Sequence, residues 1–350
     1  MEQKYKYMVA TRCFTFNHAP YIEDAMNGFA IQKTTFPVVT LIVDDASTDG
    51  EQDIIRNYLQ EHFVEPYREE ETEYAHIVCA MHKTNANCIF VVFLLKYNHH
   101  SIKKSKMDYL SEWLDNAKYH AFCEGDDYWI DNHKLQKQVD YLESHEDCIL
   151  VHSNFQALNN STKEIIYDAS SRYKIVDGYV FNNLFDGCYV RYLTVCYRNL
   201  GLLSSIPIPT NAFAGDLLLF YVLSKNGKFK FFNEEMGVYR VLPHSATHFK
   251  SEGERFTAYE KYKNLDFFIA DYYNISKEKR SKLKVKWFVL DFKHALFAND
   301  YKYLKGLQIN ERVSSLYKSL YMLCQYKPLF EIISFIIRKR QLVSRRKRWF

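Results

Sequence analysis

The sequence predicts an α/β protein with a mostly parallel central sheet, helices on both of its faces, and a helical C-terminal region. Three observations predict this. Over the first 150 residues, apolar and β-branched runs alternate with segments of helical spacing. Two of those runs end in carboxylates, at Asp44-Asp45 and at Glu124-Gly125-Asp126-Asp127, on the strand ends where such sheets bind ligands. Beyond residue 255, Lys, Tyr and Phe recur at helical spacing to the end.

The elements come in this order. YMVATRCFTF (7–16) is a first strand that ends at Asn17. Pro20 is tolerated in the first turn of a helix in which Ile22, Ala25, Met26 and Phe29 share one face. PVVTLIVDD (37–45) is a buried strand, and Thr48 with Glu51 reads as a capping box opening the helix DIIRNYL. HIVCAM is a strand, 87–97 is ambiguous, a helix is expected near 106–116, and KYHAFC is the strand leading to the acids. CILVHSNF and YVRYLTVCYR read as strands around a polar loop at 158–172. They are followed by a helix at DLLLFYVLSKNGK and by strands KFKFF and VYRV. We place a boundary near 250, giving domains 1–250 and 251–350.

Composition narrows the class. With 47% apolar and 25% charged residues the chain is globular, and its 28 Tyr and 26 Phe supply packing as well as flat surfaces for rings. Eight cysteines without a CxxC pair suit reduced thiols better than a disulfide framework or a zinc site. The N-terminus lacks the pattern of a secretory signal, and a cytoplasmic location is expected. Of the net charge of +4, the last thirteen residues, RKRQLVSRRKRWF, contribute +7, which leaves −3 for the other 337. The basic character therefore belongs to the tail. No nucleic-acid module accompanies it, and nucleic acid is not an expected partner.

CFTFNHAPYI, LIVDDASTDG, KYHAFCEGDDYWIDNHKLQKQVDYLE, AGDLLLFYVLSKNGK and MGVYRVLPHSAT stand in an order that resembles the family 2 glycosyltransferases of the GT-A fold, in particular bacterial polysaccharide-assembling members. The resemblance covers roughly residues 5–250. It implies inverting transfer of a sugar from a nucleotide-sugar, usually a UDP-sugar, to an acceptor hydroxyl on a glycan or lipid-linked glycan, with Mn²⁺ or Mg²⁺. Physically, a hard cation shared by carboxylates and phosphate oxygens would neutralise a diphosphate leaving group.

By this resemblance Asp126 is the metal ligand and Glu124, standing where the family has Asp, helps to place the metal or approaches the ribose. Gly125 admits the nucleotide to the backbone. Thr15, Asn17, Asp44 and Asp45 form the nucleoside pocket, with Asp45 accepting from the base. Asp216 is the catalytic base, although a helix N-cap would also suit it. Arg240 reaches the diphosphate, and Asp127 and Trp129 face the acceptor. The family often has His two residues after this Arg; here Leu242 stands there, and His244 is a weaker candidate ligand. Asn85 and Asn87 replace the usual Asn-x-Gly. His99 and His100, without acids at a metal spacing, read as surface residues.

Two alternatives stay open, a nucleotide-sugar-binding relative without turnover and a nucleotidyltransferase. The second normally needs a Gly-rich basic loop after the first strand, and FNHAPYI has neither Gly nor Lys. In the tail, Leu329, Ile332, Ile333, Ile336 and Ile337 fall on one broad face before the basic run. That pattern suits an anionic membrane surface, giving a peripheral contact on the cytoplasmic face, or a packed helix with a solvated end.

Overall fold

The computed structural model describes residues 5–168, 175–187, 190–201, 206, 207, 209, 211, 212, 215–242, 252–309 and 312–345. The described chain falls into two compact units. One is Met1–Phe181 with Cys188–Ile206 and Leu219–Ser245; the other is Asn182–Gly187 with Pro207–Leu218 and Ala246–Phe350.

In the first unit, β1 (Tyr7–Thr15) and β2 (Val38–Asp44) lie at the centre of the sheet, and β2 is buried along its whole length. Strands covered on both faces need an unbroken apolar run rather than alternation, which is what these segments supply. They pair in parallel from Val9 opposite Val38 to Thr15 opposite Asp44. β5 (Cys88–Leu95) and β6 (Ala117–Phe122) extend the parallel set on either side. Outside them lie β3 (Arg68–Glu71) and β4 (Ala75–Met81) at one edge. At the other are β10 (Cys196–Arg198), β8 (Cys148–Asn159), β11 (Lys228–Val241) and β7 (Tyr128–Trp129), with β9 (Glu164–Asp168) paired to β8. Only β8 and β11 are parallel among these outer pairings, so the parallel character resides in the centre.

Helices α1 (Ile22–Ala30), α2 (Glu51–His62) and α4 (Lys134–Ser144) cover one face of the sheet. Ile22, Met26, Phe29, Ile55, Leu135 and Val139 share a core there with Val9, Ile42 and Val92. On the other face Leu110, Trp113 and Leu114 close over Ala10, Leu41, Val43 and Phe93. The α/β class is the one the sequence predicts.

Several local expectations give way to tertiary contacts. The segment 106–116 forms only a 3₁₀ turn at Met107–Tyr109 and one helical turn, α3 (Ser111–Leu114). Of YVRYLTVCYR only β10 is strand, after a 3₁₀ turn at Tyr192–Thr194. KFKFF and VYRV are one strand, β11, which pairs with β8 through register shifts between Phe232 and Glu235 and between Glu235 and Val238. These shifts insert extra residues into β11 and kink it. The capping box does not form. Gly50, with φ of 91°, precedes α2, and Glu51 turns away from its own helix.

The helix α5 (Phe181–Leu184) precedes the second unit's main helices, and α6 (Asp216–Asn226) starts within that unit. α7 (Glu252–Tyr272), α8 (Lys277–Ala298), α9 (Tyr301–Gly306), α10 (Ser315–Cys324) and α11 (Lys327–Arg345) complete the helical region. The Ser276 hydroxyl accepts from the Lys279 N–H at 3.2 Å and caps α8, while the Asp300 carboxylate accepts from the Tyr303 N–H at 2.8 Å and caps α9. Phe292, Ala295, Leu296, Leu304, Cys324 and Phe330 form the local core. Asp266, 2% exposed, accepts from Lys286 Nζ and Trp287 Nε1, both at 2.9 Å, so α7 is tied to α8 by a buried charge-assisted pair.

Two core histidines make the first unit acid-sensitive. Burial pulls the His120 imidazole on β6 down to about 4 and that of His152 on β8 to about 3, so both fold neutral. Each contributes stability that is fully present above the unfolded value near 6.5 and is lost as pH falls towards the folded value. Urea unfolding between pH 7 and pH 4 should show this loss, with His120 accounting for about 3 kcal/mol. His152→Phe should flatten part of the slope.

Candidate active site at the carboxyl edge of the parallel strands

Parallel pairing brings the ends of β1, β2 and β6 to one edge. The Gly125 N–H donates to the Phe14 carbonyl at 3.1 Å and the Asp45 N–H to the Thr15 carbonyl at 3.0 Å, which fixes Thr15, Asp45 and the acidic turn side by side. A Cβ on Gly125 would lie 2.1 Å from Thr15 Oγ1 and 3.2 Å from His18 Nδ1. Glycine is needed there for close approach rather than for an unusual dihedral angle.

The three acids meet different surroundings. Glu124 is half-buried, and its removal from water, with Asp126 beside it, pushes its carboxyl up to about 7 despite the Arg12 and Lys106 charges. Asp127, 5% exposed, is also pushed up by burial and by Asp126, while its Oδ1 accepts the Arg240 N–H at 2.8 Å. Asp126 is half-buried and stands 4.0 Å from His18 Nε2.

On β2, Asp44 is 0% exposed. Its Oδ1 accepts from the Ser47 N–H at 3.0 Å and from Gln52 Nε2 at 2.6 Å, and its Oδ2 has no hydrogen-bond partner among the described residues. Ser47 and Gln52, which bond Asp44, line a cleft of about 490 Å³ with Thr48, Leu95, Lys96 and others, and Asp44 itself does not reach it. Ala46, with φ of 61°, turns the chain out of the strand in a conformation uncommon for a residue with a side chain. Asn17, φ 56°, makes the matching turn after β1, and its Oδ1 accepts the Thr48 N–H at 2.8 Å.

Four of the expected contact residues are enclosed and engaged within the chain. Trp129 is 2% exposed, packs edge-on to Phe29 at 5.1 Å and donates its indole N–H to the Leu193 carbonyl at 2.8 Å; it is a core residue and presents no face to an acceptor. Asp127 is likewise enclosed, its carboxylate holding the backbone of β11. Asp45 is 1% exposed and already accepts from the His99 N–H (2.7 Å), the His100 N–H (3.2 Å) and Lys106 Nζ (2.9 Å). Burial alone would raise its carboxyl, but these donors outweigh it and hold the group below its ordinary value, so Asp45 anchors residues 97–106. Arg240 is 5% exposed. It pairs with Asp24, donates to the Asp126 carbonyl at 2.8 Å and lies 4.4 Å from the Tyr128 ring, so its guanidinium is engaged within the chain.

Among the remaining candidates, His99 is buried rather than at the surface, its ring hydrogen-bonded to Tyr109 at 2.9 Å. Asn85 donates to the Gln32 carbonyl at 3.0 Å and Asn87 donates to the Thr34 carbonyl, both at the amino ends of the strands. Asp216 opens α6 and accepts the Leu217 N–H at 2.8 Å. His244 lies outside the described residues.

No protein-family model matches the chain. Over 237 residues, 67% of this chain, it is 30% identical to uncharacterized proteins of Mycobacterium bovis and Mycobacterium tuberculosis, and it spans 59% of the length of those relatives. Among solved structures it is similar to S. aureus TarS 1–349 in complex with UDP-GlcNAc, with TM-score 0.46 and 14% identity over 97% of this chain and 92% of that one. It is also similar to the mannosyltransferase PcManGT from Pyrobaculum calidifontis in complex with GDP-Man and Mn²⁺, with TM-score 0.47 and 14% identity over 95% and 87%.

Sequence reasoning missed Glu51. It is 0% exposed and binds the Thr15 hydroxyl, the His18 N–H at 2.8 Å and the Ser47 hydroxyl at 2.8 Å. Burial raises its carboxyl, and these three donors oppose that rise while fastening the β1–α1 loop to the β2–α2 loop. Its one sequence signal was misassigned to a helix cap.

Two substitutions test this arrangement by thermal and urea unfolding. Gly125→Ala should cost about 1–3 kcal/mol, because Thr15 must move. Trp129→Ala should cost about 3–5 kcal/mol, a loss of stability that a surface ring stacked on an acceptor would not produce.

Proposed function

We propose that the chain is an inverting, divalent-metal-dependent glycosyltransferase of the family 2, GT-A type. It moves a sugar from a nucleoside diphosphate sugar, UDP being the first candidate, to a hydroxyl of a glycan or lipid-linked glycan in polysaccharide assembly. The observation that carries this reading is the crowded acid edge, with Glu124 and Asp126 half-buried on either side of a glycine that lets the acidic turn pack directly on Thr15 at the end of β1.

The residues fit a cation. Glu124, pushed up to about 7, regains its charge beside a positive ion. Among the described residues no group of three or more His, Cys, Asp or Glu side chains is set to hold a metal, so Asp126 and Glu124 would share Mn²⁺ or Mg²⁺ with the donor's own phosphate oxygens. When bound, the ion neutralises the departing diphosphate.

The chain's own groups do the rest. By the family resemblance Thr15, Asn17 and Asp44 border the nucleoside; Thr15 and Asp44, 3% and 0% exposed, shape that pocket from behind its wall. Asp45 orders residues 97–106 beside it. Arg240 holds the Asp126 backbone in place. Asp216, assigned by its motif, takes the acceptor's proton as the acceptor oxygen bonds to the anomeric carbon and the bond to the diphosphate breaks, which inverts the centre. The buried thiols suit a reducing compartment, and we place the reaction on the cytoplasmic side.

Release of nucleoside diphosphate from a panel of sugar nucleotides with Mn²⁺ tests the proposal. Asp126→Asn should lose metal-dependent nucleotide binding as well as turnover. Asp216→Asn should keep binding and lose turnover about a hundredfold or more. Donor binding without hydrolysis or transfer to any acceptor would favour a non-catalytic relative, and pyrophosphate release would favour a nucleotidyltransferase.

A further inference from the structure

α11 carries two apolar faces where the sequence indicates one. Ile333 and Ile337 turn inward, packing with buried Phe330 against the core built on Phe292 and Leu296. Leu329, Ile332, Phe335 and Ile336 turn outward and are 37%, 55%, 52% and 45% exposed. At 100° per residue these four fall within an arc of roughly 120° on the side away from Phe330. On α10, Leu316 and Leu323, two turns apart, are 76% and 51% exposed.

Such a set of large apolar side chains on adjoining helices marks a surface that meets something apolar. The charge at the end of the chain identifies the occupant. Residues 338–350 carry seven Arg or Lys and no acid. Lys339 lies 4.8 Å from the Phe335 ring, so positive charge begins at the edge of the outer face. Glu331 sits on the flank towards Lys327, 3.9 Å away.

We propose that this outer face docks on the surface of an anionic lipid bilayer, with α11 lying in the plane of the interface and the basic run among the headgroups. Apolar side chains on one side and a cationic flank are what such a surface binds. A second copy of the chain paired in parallel is disfavoured, because it would bring two runs of like charge together, and an antiparallel pair leaves both basic runs without anionic partners. Spanning is disfavoured too. Among the described residues no single helix is long and apolar enough to cross a membrane, and α10 and Lys327–Lys339 are bent by 119°. At a rise of 1.5 Å per residue they are roughly 15 and 20 Å long, against a hydrocarbon core of about 30 Å.

The proposal is independent of glycosyl transfer. It is tested by flotation of the full chain with vesicles of phosphatidylcholine alone or containing phosphatidylglycerol, at low and at high salt. Wild type should bind the anionic vesicles at least about tenfold better, less so in high salt. The variant Ile332→Ser with Ile336→Ser should lose about tenfold or more on them. So should the variant with Arg345, Arg346, Lys347 and Arg348 changed to Gln, and circular dichroism should show both folded. Protein that stays unbound with both vesicles, or binding that survives both variants, overturns the proposal. So does a dimer by light scattering that dissociates in the serine variant while neither form floats. Nucleotide binding measured on the same variants should be unchanged, which separates failure here from failure of the transferase reading.

Discussion

Everything at the carboxyl edge depends on how closely packed negative charge is tolerated. Glu124, Asp126 and Asp127 stand within four residues, and two of them are driven towards the neutral form by burial and by Asp126. The chain answers part of the repulsion itself: the Arg240 N–H donates to Asp127, and the Arg240 guanidinium donates to the Asp126 carbonyl. Among the described residues the Asp126 side chain, half-buried, has no Lys or Arg paired with it, and His18 Nε2 stands 4.0 Å away. The scaffold of the acid cluster is thus stabilised from within the chain, through the backbone of its acidic turn and of β11.

Around that cluster, polar residues hold the neighbouring loops. Asp45 and Glu51, both nearly inaccessible, spend their acceptor capacity on backbone N–H groups and side chains of neighbouring loops. Asp44 uses one oxygen in the same way, and the other has no hydrogen-bond partner among the described residues. The loops after β1 and β2 are thereby fixed to each other before any ligand arrives. Such preorganisation lets a site recognise a ligand without first ordering itself.

Much of the fold was legible because buried parallel strands need uninterrupted apolar runs and leave them in the sequence: β1, β2 and β6 could be read directly, together with the acids that end them. At Gly125 the sequence suggests close approach of a nucleotide, and the structure shows close approach of Thr15. What was not legible depends on partners distant in sequence. Nothing local to Glu51 indicates Thr15 or His18, nothing at Asp45 indicates Lys106, and Arg240 finds Asp24 only once β11 and α1 are side by side. Trp129 was misplaced for a simpler reason. Neighbours in a strand point to opposite faces, so Tyr128, half-buried against Arg240, and Trp129, in the core, cannot both face a ligand. The second apolar face of α11 was hidden because Ile and Leu on a helical wheel look alike whether they pack or stay exposed.

The kinks in β11 carry a consequence for how this chain can vary in length. Between Phe232 and Val238 the strand holds more residues than its partner β8 opposite, and only after that surplus does Arg240 arrive at Asp127. Removing or adding one amino acid in this stretch would shift the alternation by one place, sending the guanidinium to the reverse side of the sheet and another residue's amide to the carboxylate. The bend thus sets which residue of β11 meets Asp127, and deletions there should be tolerated far less readily than substitutions.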